Sequence, residues 1–594
     1  MEASRSRQEQ ESRGKEQDPA RSDEGGQGNK QSGEEEQEGR EGRFLKPRRV
    51  GDTGCGGSDS GGDEESQNDL NAYRVNDPNR LPDPINSSLE TNLKRLEVVF
   101  RLPDNKDIVL REFTVSLDPP VKAAAYFIDG MSDKNIIDLA ILQPLMLLSG
   151  KPPAESGQSP AGGQADTLDL AYRRLVPINQ VSKARKLPDL VKGVLTGATA
   201  ILLDGCDQGL VVETKGWEHR SVGEPKQEQV IRGPSEAFSE TLRANTAMIR
   251  RRLKTPSLMT EFIEVGRFSN QQVAVMYLDG IANPALLAEV RTRLKAIDTD
   301  ILVDSGSLEQ FIEDSPNALF PNILSTERPD RVACFLAEGH VALLLENNPF
   351  GLVVPTTFTA MLQTAEDYYL RWPYGTFLRI LRVTSYFVAL VFPSLYVAAT
   401  AYHHETIPTD LAMAMAAARE TVPFPVMVEV LLMAFSFELI TEAATRVPGL
   451  IGPTIGIVGA LVLGQAAVQA GIISPILVIV IAITALASFT IPNYSLSNSV
   501  RILRYIYLLA GSVLGFYGIA LVFYLDVAHL SVQLSFGVPM LNPVAPTKKG
   551  AGDVIVRSPV FTQERRPAYL YPQKRKRQPE RVRTWFRRGG DRRG

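Results

Sequence analysis

Residues 383–402 read VTSYFVALVFPSLYVAATAY, twenty in a row without a charged side chain. At about 1.5 Å of rise per residue, such a helix just spans the roughly 30 Å hydrocarbon core of a bilayer. Four more apolar stretches follow, at 425–444, 452–471, 474–491 and 504–526. The whole-chain averages, 44% hydrophobic and 22% charged, look soluble only because a polar head offsets this apolar end. At 594 residues the chain is too long for one ordinary domain.

Composition also narrows the chemistry. A net charge of -4 gives no pointer to nucleic acid. Three distant cysteines, Cys55, Cys206 and Cys334, rule out a disulfide framework or zinc cluster as the organising principle. Five histidines leave little room for a histidine metal site. Phosphate-cradling glycine loops, HExxH and GxSxG are absent from the sequence, so neither an enzyme nor a cofactor is expected.

Residues 1–85 form a Glu-, Gln-, Gly- and Ser-rich head with too few apolar side chains to offset the entropy of ordering, and should be disordered. The terminus MEASRSRQEQ lacks the apolar run of a secretory signal, so none is expected. From Asn92 the pattern becomes globular. LKRLEVVFRL opens as a helix and IVLREFTV alternates as a strand. Three strand–Asp-Gly units follow, at Asp129-Gly130, Asp204-Gly205 and Asp279-Gly280, the second reading as a hairpin. The fold class is therefore an α/β soluble region of two subdomains followed by an α-helical transmembrane domain. The echo between YFIDG and MYLDG fits two related subdomains or common turn chemistry equally well.

The expected organisation is a disordered tail (1–85), a first α/β subdomain (86–150), a Pro/Gly/Ser linker (151–166), a larger α/β subdomain (167–365), a transmembrane domain of about five spans (366–545) and a basic cytoplasmic tail (546–594). Within the second subdomain, Ser235 is expected to cap a helix that ends at Arg250, Arg251 and Arg252, where cations suit the dipole. With Arg232, these arginines read as a subunit or subdomain interface in preference to an anion site.

Arg371, Arg379 and Arg382, interleaved with Trp372, Tyr374 and Phe377, read as an interfacial elbow on the cytoplasmic side. The second apolar stretch carries Glu429, Glu438 and Glu442, each costing roughly 2.5–3.5 kcal/mol at mid-span unless relieved. Glu438 and Glu442 share a helical face, and Arg446 is placed to pair with Glu442. Glu429, nine residues before Glu438, points the opposite way. That face lines a pore or binds a partner, with Glu438 left needing water, a cation or a neighbouring subunit. Pro448, Gly449, Gly452 and Pro453 break the chain after it, as a gate or as close small-residue packing. The tail carries KRKR at 574–577 and reads as cytoplasmic and lipid-contacting. Five full spans cannot put both elbow and tail on that side, so one span is re-entrant or 529–541 returns the chain.

Several longer stretches carry a family resemblance: YFIDGMSDKNIID (126–138), the segment 202–254 containing IRGPSEAFSETLRANTAMIRRRLK, YLDGIANP (277–284), ERPDRVACFLAEGHVALLLENNPFGLVVPTTF (327–358), EDYYLRWPYGTFLR (366–379) and the segment 424–475 from FPVMVEV to AGIISP. Together, over roughly residues 90–545, the chain resembles the A subunits of GerA-type spore germinant receptors. The resemblance implies an integral protein of the spore inner membrane that is similar to homo-oligomeric ligand-gated channels for monovalent cations. It implies two partners, a B subunit similar to amino-acid transporters that senses the nutrient and a C-subunit lipoprotein. A stage V sporulation paralogue, which amplifies germination without binding nutrient, shares these motifs. A non-conducting scaffold and a secondary transporter are the other classes. The absence of two hydropathy-related halves in the sequence weighs against the transporter.

Overall fold

The computed structural model describes residues 84–117, 119–147, 165–216, 223–446, 463–546, 553–579 and 582. Residues 1–83 of the head expected to be disordered, most of the 151–166 linker and the break candidates Pro448, Gly449, Gly452 and Pro453 lie outside these residues, whereas Ile85, at the end of that head, is buried in the core of the first module.

Two five-stranded antiparallel sheets build the soluble region. The first runs β1 (Ile108–Val115), β2 (Val121–Ile128), β4 (Thr199–Leu203), β5 (Gly209–Val212), β3 (Val181–Ala184) in spatial order. The second runs β6 (Leu258–Val265), β7 (Gln271–Leu278), β9 (Val341–Leu345), β10 (Gly351–Val354), β8 (Leu324–Thr326). Strand for strand the two orders are the same. YFIDG ends β2 and MYLDG ends β7, with Gly130 and Gly280 at φ of 83° and 76°, where a side chain is strained. Both β5 and β10 read Gly-Leu-Val-Val. The echo in the sequence is thus a structural duplication of one module.

A subdomain boundary at 151–166 is incorrect. β2 precedes that segment and β4 follows it, yet they pair, with Ala125 opposite Ile201. The segment interrupts one module, and the boundary falls after β5.

The middle strands read as unbroken apolar runs because both faces of each sheet are covered. Ala124, Tyr126 and Ile128 pack on α1 (Leu89–Phe100) and α2 (Leu187–Leu195), while Ala123, Ala125 and Phe127 pack on the helical stretches at 134–147 and 165–175. In the second module Val273, Val275 and Tyr277 face α4 (Pro284–Ala296) and α5 (Ser305–Ile312). Ala274, Met276 and Leu278 face α3 (Leu242–Arg252) and α6 (Pro329–Glu338). That last cluster continues without a break through Met361, Tyr386, Leu390 and Leu503 into the helical region. The second module and the helices therefore share one core.

The helix expected from Ser235 does not form. α3 begins at Leu242, and residues 223–241 are irregular. Phe238 is pulled into the core by its amide bond to the Glu327 carbonyl (2.8 Å), and Asn245 holds Ser239 through both backbone groups at 2.8 and 2.6 Å. These side-chain bonds compete with a helical ladder and win.

The helical region comprises α7 (Trp372–Ala401), α8 (Thr409–Arg419), α9 (Val426–Arg446), α10 (Pro475–Phe489) and α11 (Tyr494–Val532). α7 and α11 are long and apolar enough to cross a membrane. α10 is a shorter apolar helix of 15 residues. α11 breaks at Gly515, whose φ of 62° and close approach to His403 need a residue without a side chain. The third expected span is described only from residue 463. The basic stretch before residue 383 is not a separate elbow but the first turns of α7.

His340 connects α6 to β9. It is buried, donates from Nδ1 to the Pro355 carbonyl at 2.7 Å and meets the Phe335 ring edge-on. Burial pushes its pKa down to about 4. A depressed imidazole contributes stability above the unfolded value near 6.5 and loses it as pH falls through that value toward 4. The solubilised chain is therefore expected to lose stability over that window, with a slope from this group approaching about 1.4 kcal/mol per pH unit. The difference between wild type and His340→Asn in a denaturation series from neutral to mildly acidic pH isolates it. Parallel curves would remove His340 as the cause.

Candidate functional site

The densest buried charge lies where α7 leaves the second module. Arg328 caps α6, with Pro329 in the first turn pre-set for a helix. Its guanidinium, 1% exposed, donates to the carbonyls of Glu228 and Pro234 at 3.1 and 2.7 Å and to Asp330 at 2.9 Å. Arg331 donates to the Glu228 carboxylate at 2.6 Å and to the carbonyls of Ala360 and Gln363. These two side chains fasten the irregular 223–241 segment onto the module. Gly233 sits flat against the Tyr369 ring, where a Cβ would come within 2.5 Å. Tyr369 in turn donates to Asp330, and burial beside that carboxylate pushes its phenol well up, so it stays a donor.

Two residues before Tyr369, Asp367 is fully buried and holds two arginines of α7. Arg379 Nε donates at 2.9 Å, and Arg382 Nη1 donates to both carboxylate oxygens at 2.8 and 3.0 Å. Arg379 also reaches Asp553 of the carboxyl-terminal segment at 2.6 Å. Arg557 of that segment is buried on the carbonyls of Leu370 and Tyr368. Arg379 and Arg382 are thus an internal clamp and not lipid anchors, whereas Trp372, Tyr374 and Phe377 stay exposed.

The far end of the helices returns to the same module. After Val532 the chain makes a short hairpin, β11 (Leu534–Ser535) and β12 (Val538–Pro539). Phe536 enters the second module's core, Ser535 Oγ donates to the Asn322 carbonyl at 2.6 Å, and Gln533 donates to the Phe320 carbonyl at 2.7 Å. Residues 529–541 are therefore not a returning membrane segment. The described part of the tail is not a free basic arm either. It lies as a strap over the second module, with Arg566 on the Ala337 carbonyl and Gln573 on the carbonyls of Ile281 and Ala282.

Among the residues singled out from sequence, the arginine triplet splits. Arg250 is wholly buried on Asp107, at 2.7 and 2.8 Å, and joins the two modules. Arg251 and Arg252 share Glu236 at 2.8 Å near the surface, and Arg232 is exposed. Glu442 and Arg446 pair as expected, at 2.7 Å and in an exposed position. Glu438 is not left without a partner: Arg504 of α11 donates to it, and Arg501 lies at 3.8 Å. Glu429 points away from both, is 1% exposed, and accepts from Arg419 of α8 and from the Ser474 amide that opens α10, each at 3.2 Å. Arg328, Arg331 and Asp367 escaped the sequence reading. The one local signal for the first two is the RPDR sequence placing proline at a helix start.

A duplicated antiparallel module clamped by buried ion pairs to apolar helices is the class of protein this arrangement defines. The chain belongs to the Bacillus/Clostridium GerA spore germination protein family, whose model matches residues 96–569. It is 39% identical to spore germination protein KA of Bacillus subtilis (strain 168), over 81% of this chain and 87% of that one. It is 41% identical to spore germination protein A1 of the same strain, over 66% of this chain and 82% of that one. An uncharacterized membrane protein of that strain, YfkQ, is 37% identical over 82% of this chain and 91% of its own length. Among solved structures, the N-terminal domain of the A subunit of the Bacillus megaterium spore germinant receptor GerK3 aligns at 31% identity, covering 46% of this chain and 98% of that one with a TM-score of 0.35.

Proposed function

We propose that this chain is the A subunit of a nutrient germinant receptor in the spore inner membrane, with its modules and strap on the cytoplasmic side. It acts with a transporter-like B subunit that senses the nutrient and with a C-subunit lipoprotein, and several copies form a gated path for monovalent cations. No enzymatic step or cofactor belongs to this reading. The observation that carries it is the attachment of both ends of the helical region to one soluble module, at the Asp367 clamp and at the Phe536 hairpin. Movement of that module then acts on α7 and α11 together. The 30 residues of α7 extend about 45 Å, more than the roughly 30 Å of a bilayer core. Because entry and exit lie on one side, the crossings are even in number, which relieves the conflict between elbow and tail. The relatives named as spore germination proteins support the role, and YfkQ's description supports the membrane.

Within this path Glu438 neutralises Arg504, which is 5% exposed between helices. Glu438→Gln leaves an uncompensated guanidinium there, and fixed positive charge along a pore opposes cations. Spores carrying Glu438→Gln are expected to hold normal amounts of the protein and release potassium severalfold more slowly after nutrient addition. Release at the wild-type rate from such spores would remove Glu438 and Arg504 from the conduction path.

A further inference from the structure

Between residues 564 and 577 the carboxyl-terminal strap holds six cations and one acid, Glu564. Two of the cations serve the strap itself. Arg566 donates to the carbonyls of Lys574, Lys576 and Ala337 at 2.9, 2.6 and 2.8 Å, and Arg577 faces Glu338 at 3.6 Å. The amides of Arg566 and Arg577 close the segment into a turn, on the Arg575 and Glu564 carbonyls at 2.9 and 2.8 Å. With the Arg566 guanidinium tied to backbone inside the turn, the side chains of Arg565, Lys574, Arg575 and Lys576 are left exposed.

None of these four forms an ion pair among the described residues. Arg565 and Lys576 are worse than unpaired, because they stand directly opposite one another in an antiparallel bridge. Like charges so placed repel. An anion lying across the turn relieves that repulsion. The surface arginines Arg251 and Arg252, by contrast, already share Glu236. The turn also has a defined place. Ahead of it, Arg557 holds the carbonyls of Tyr368 and Leu370, which lead into α7. Within it, Tyr569 and Leu570 pack on Val538, in the hairpin that follows α11. The strap therefore touches the chain where it enters and where it leaves its two membrane-length helices. Trp372, Tyr374 and Phe377 are exposed beside the bond between Thr376 and Arg557. Exposed aromatic rings next to basic side chains suit the headgroup level of a bilayer.

We propose that the 564–577 turn docks on anionic phospholipid headgroups of the adjoining leaflet through Arg565, Lys574, Arg575 and Lys576. Basic side chains near an anionic membrane surface are drawn to it within about a Debye length, and the attraction grows with their number. The same strap carries Asp553, the second partner of Arg379. Lipid that holds the turn therefore also steadies the clamp at the base of α7. The inference rests on the membrane placement proposed above and not on conduction.

The test compares amide exchange of the full chain in bilayer nanodiscs of phosphatidylcholine alone and with about a third phosphatidylglycerol. Protection across 564–578 is expected to rise about tenfold with the anionic lipid at low salt, and to fall back at about 1 M salt, where charges are screened within roughly 3 Å. A variant combining Lys574→Gln, Arg575→Gln and Lys576→Gln is expected to show equal protection in both discs, with β7 and β9 as protected as in wild type. Wild-type protection that ignores phosphatidylglycerol would overturn the proposal, as would a triple variant that still responds to it. Equal protection on adding inorganic pyrophosphate to neutral discs would assign the cations to a free anion. Protection already high in neutral discs, and lost there in the triple variant, would assign them to an acidic segment of the chain itself. Either result overturns the lipid dock. A chain that enters neither disc would sink the membrane placement and the dock with it.

Discussion

Arg250→Met is expected to destabilise the protein by about 3–5 kcal/mol, the cost of breaking a buried pair from one side. Arg250 and Asp107 are 0% and 1% exposed. The guanidinium makes two bonds to the carboxylate and further bonds to Asn105 Oδ1 and the Leu258 carbonyl, at 3.4 and 2.9 Å. Asp107 precedes β1 in the first module, whereas Leu258 opens β6 in the second, so one side chain ties both. After substitution Asp107 keeps Thr260 Oγ1, at 3.0 Å, as its side-chain donor, too little for a buried charge. Combining Arg250→Met with Asp107→Leu removes the stranded charge and should recover part of the loss, because an apolar replacement of a whole buried pair is often tolerated. Alanine at Arg251 and Arg252 should cost no more than about 1 kcal/mol each, since their pairs with Glu236 are partly exposed. Unfolding midpoints of the four variants in detergent check this ordering. Equal losses at all three arginines would show the triplet acting as one surface.

Asp367→Asn is the second large effect. The carboxylate is fully buried against Arg379 and Arg382, and Thr364 Oγ1 donates to it at 3.2 Å. Losing its charge leaves two guanidinium groups facing one neutral amide, with Asp553 able to hold only Arg379. A destabilisation of about 3–5 kcal/mol is expected at the joint, and it should appear as local opening. Amide exchange at the first turns of α7 and in the 553–566 part of the strap should quicken, while β7 and β9 remain protected. Uniform loss of protection across the second module would instead make Asp367 a general core residue.

The sequence revealed what local pattern encodes. The strands with Asp-Gly turns, the end of α3 at its arginines and the i,i+4 pair of Glu442 with Arg446 all lie where periodicity and spacing put them. Partners distant in the chain left no such trace. β2 and β4 pair across a linker-like segment that reads as a boundary. Glu438 finds Arg504 sixty-six residues away, and Asp367 finds Asp553 through Arg379. A run of three arginines gives no hint that one is buried, because only the phase of α3 against the first module decides it. The duplicated module leaves two signals in the sequence, the Asp-Gly echo and the repeated Gly-Leu-Val-Val, and the echo by itself fits common turn chemistry as well as duplication. Ser235 misled because a capping residue followed by polar sequence suits a helix locally, while Phe238 gains more by entering the core.

The most direct test of the coupling between soluble modules and helices is potassium release from spores carrying Asp367→Asn, compared with wild type after the nutrient that triggers the parent strain. The amount of the chain in the spore membrane fraction is measured in the same samples. Such coupling requires wild-type abundance or a modest reduction, with release nearly abolished, whereas spores with alanine at Arg251 and Arg252 release normally. Wild-type release from Asp367→Asn spores would contradict it, since the helices would then respond without the clamp that joins them to the second module.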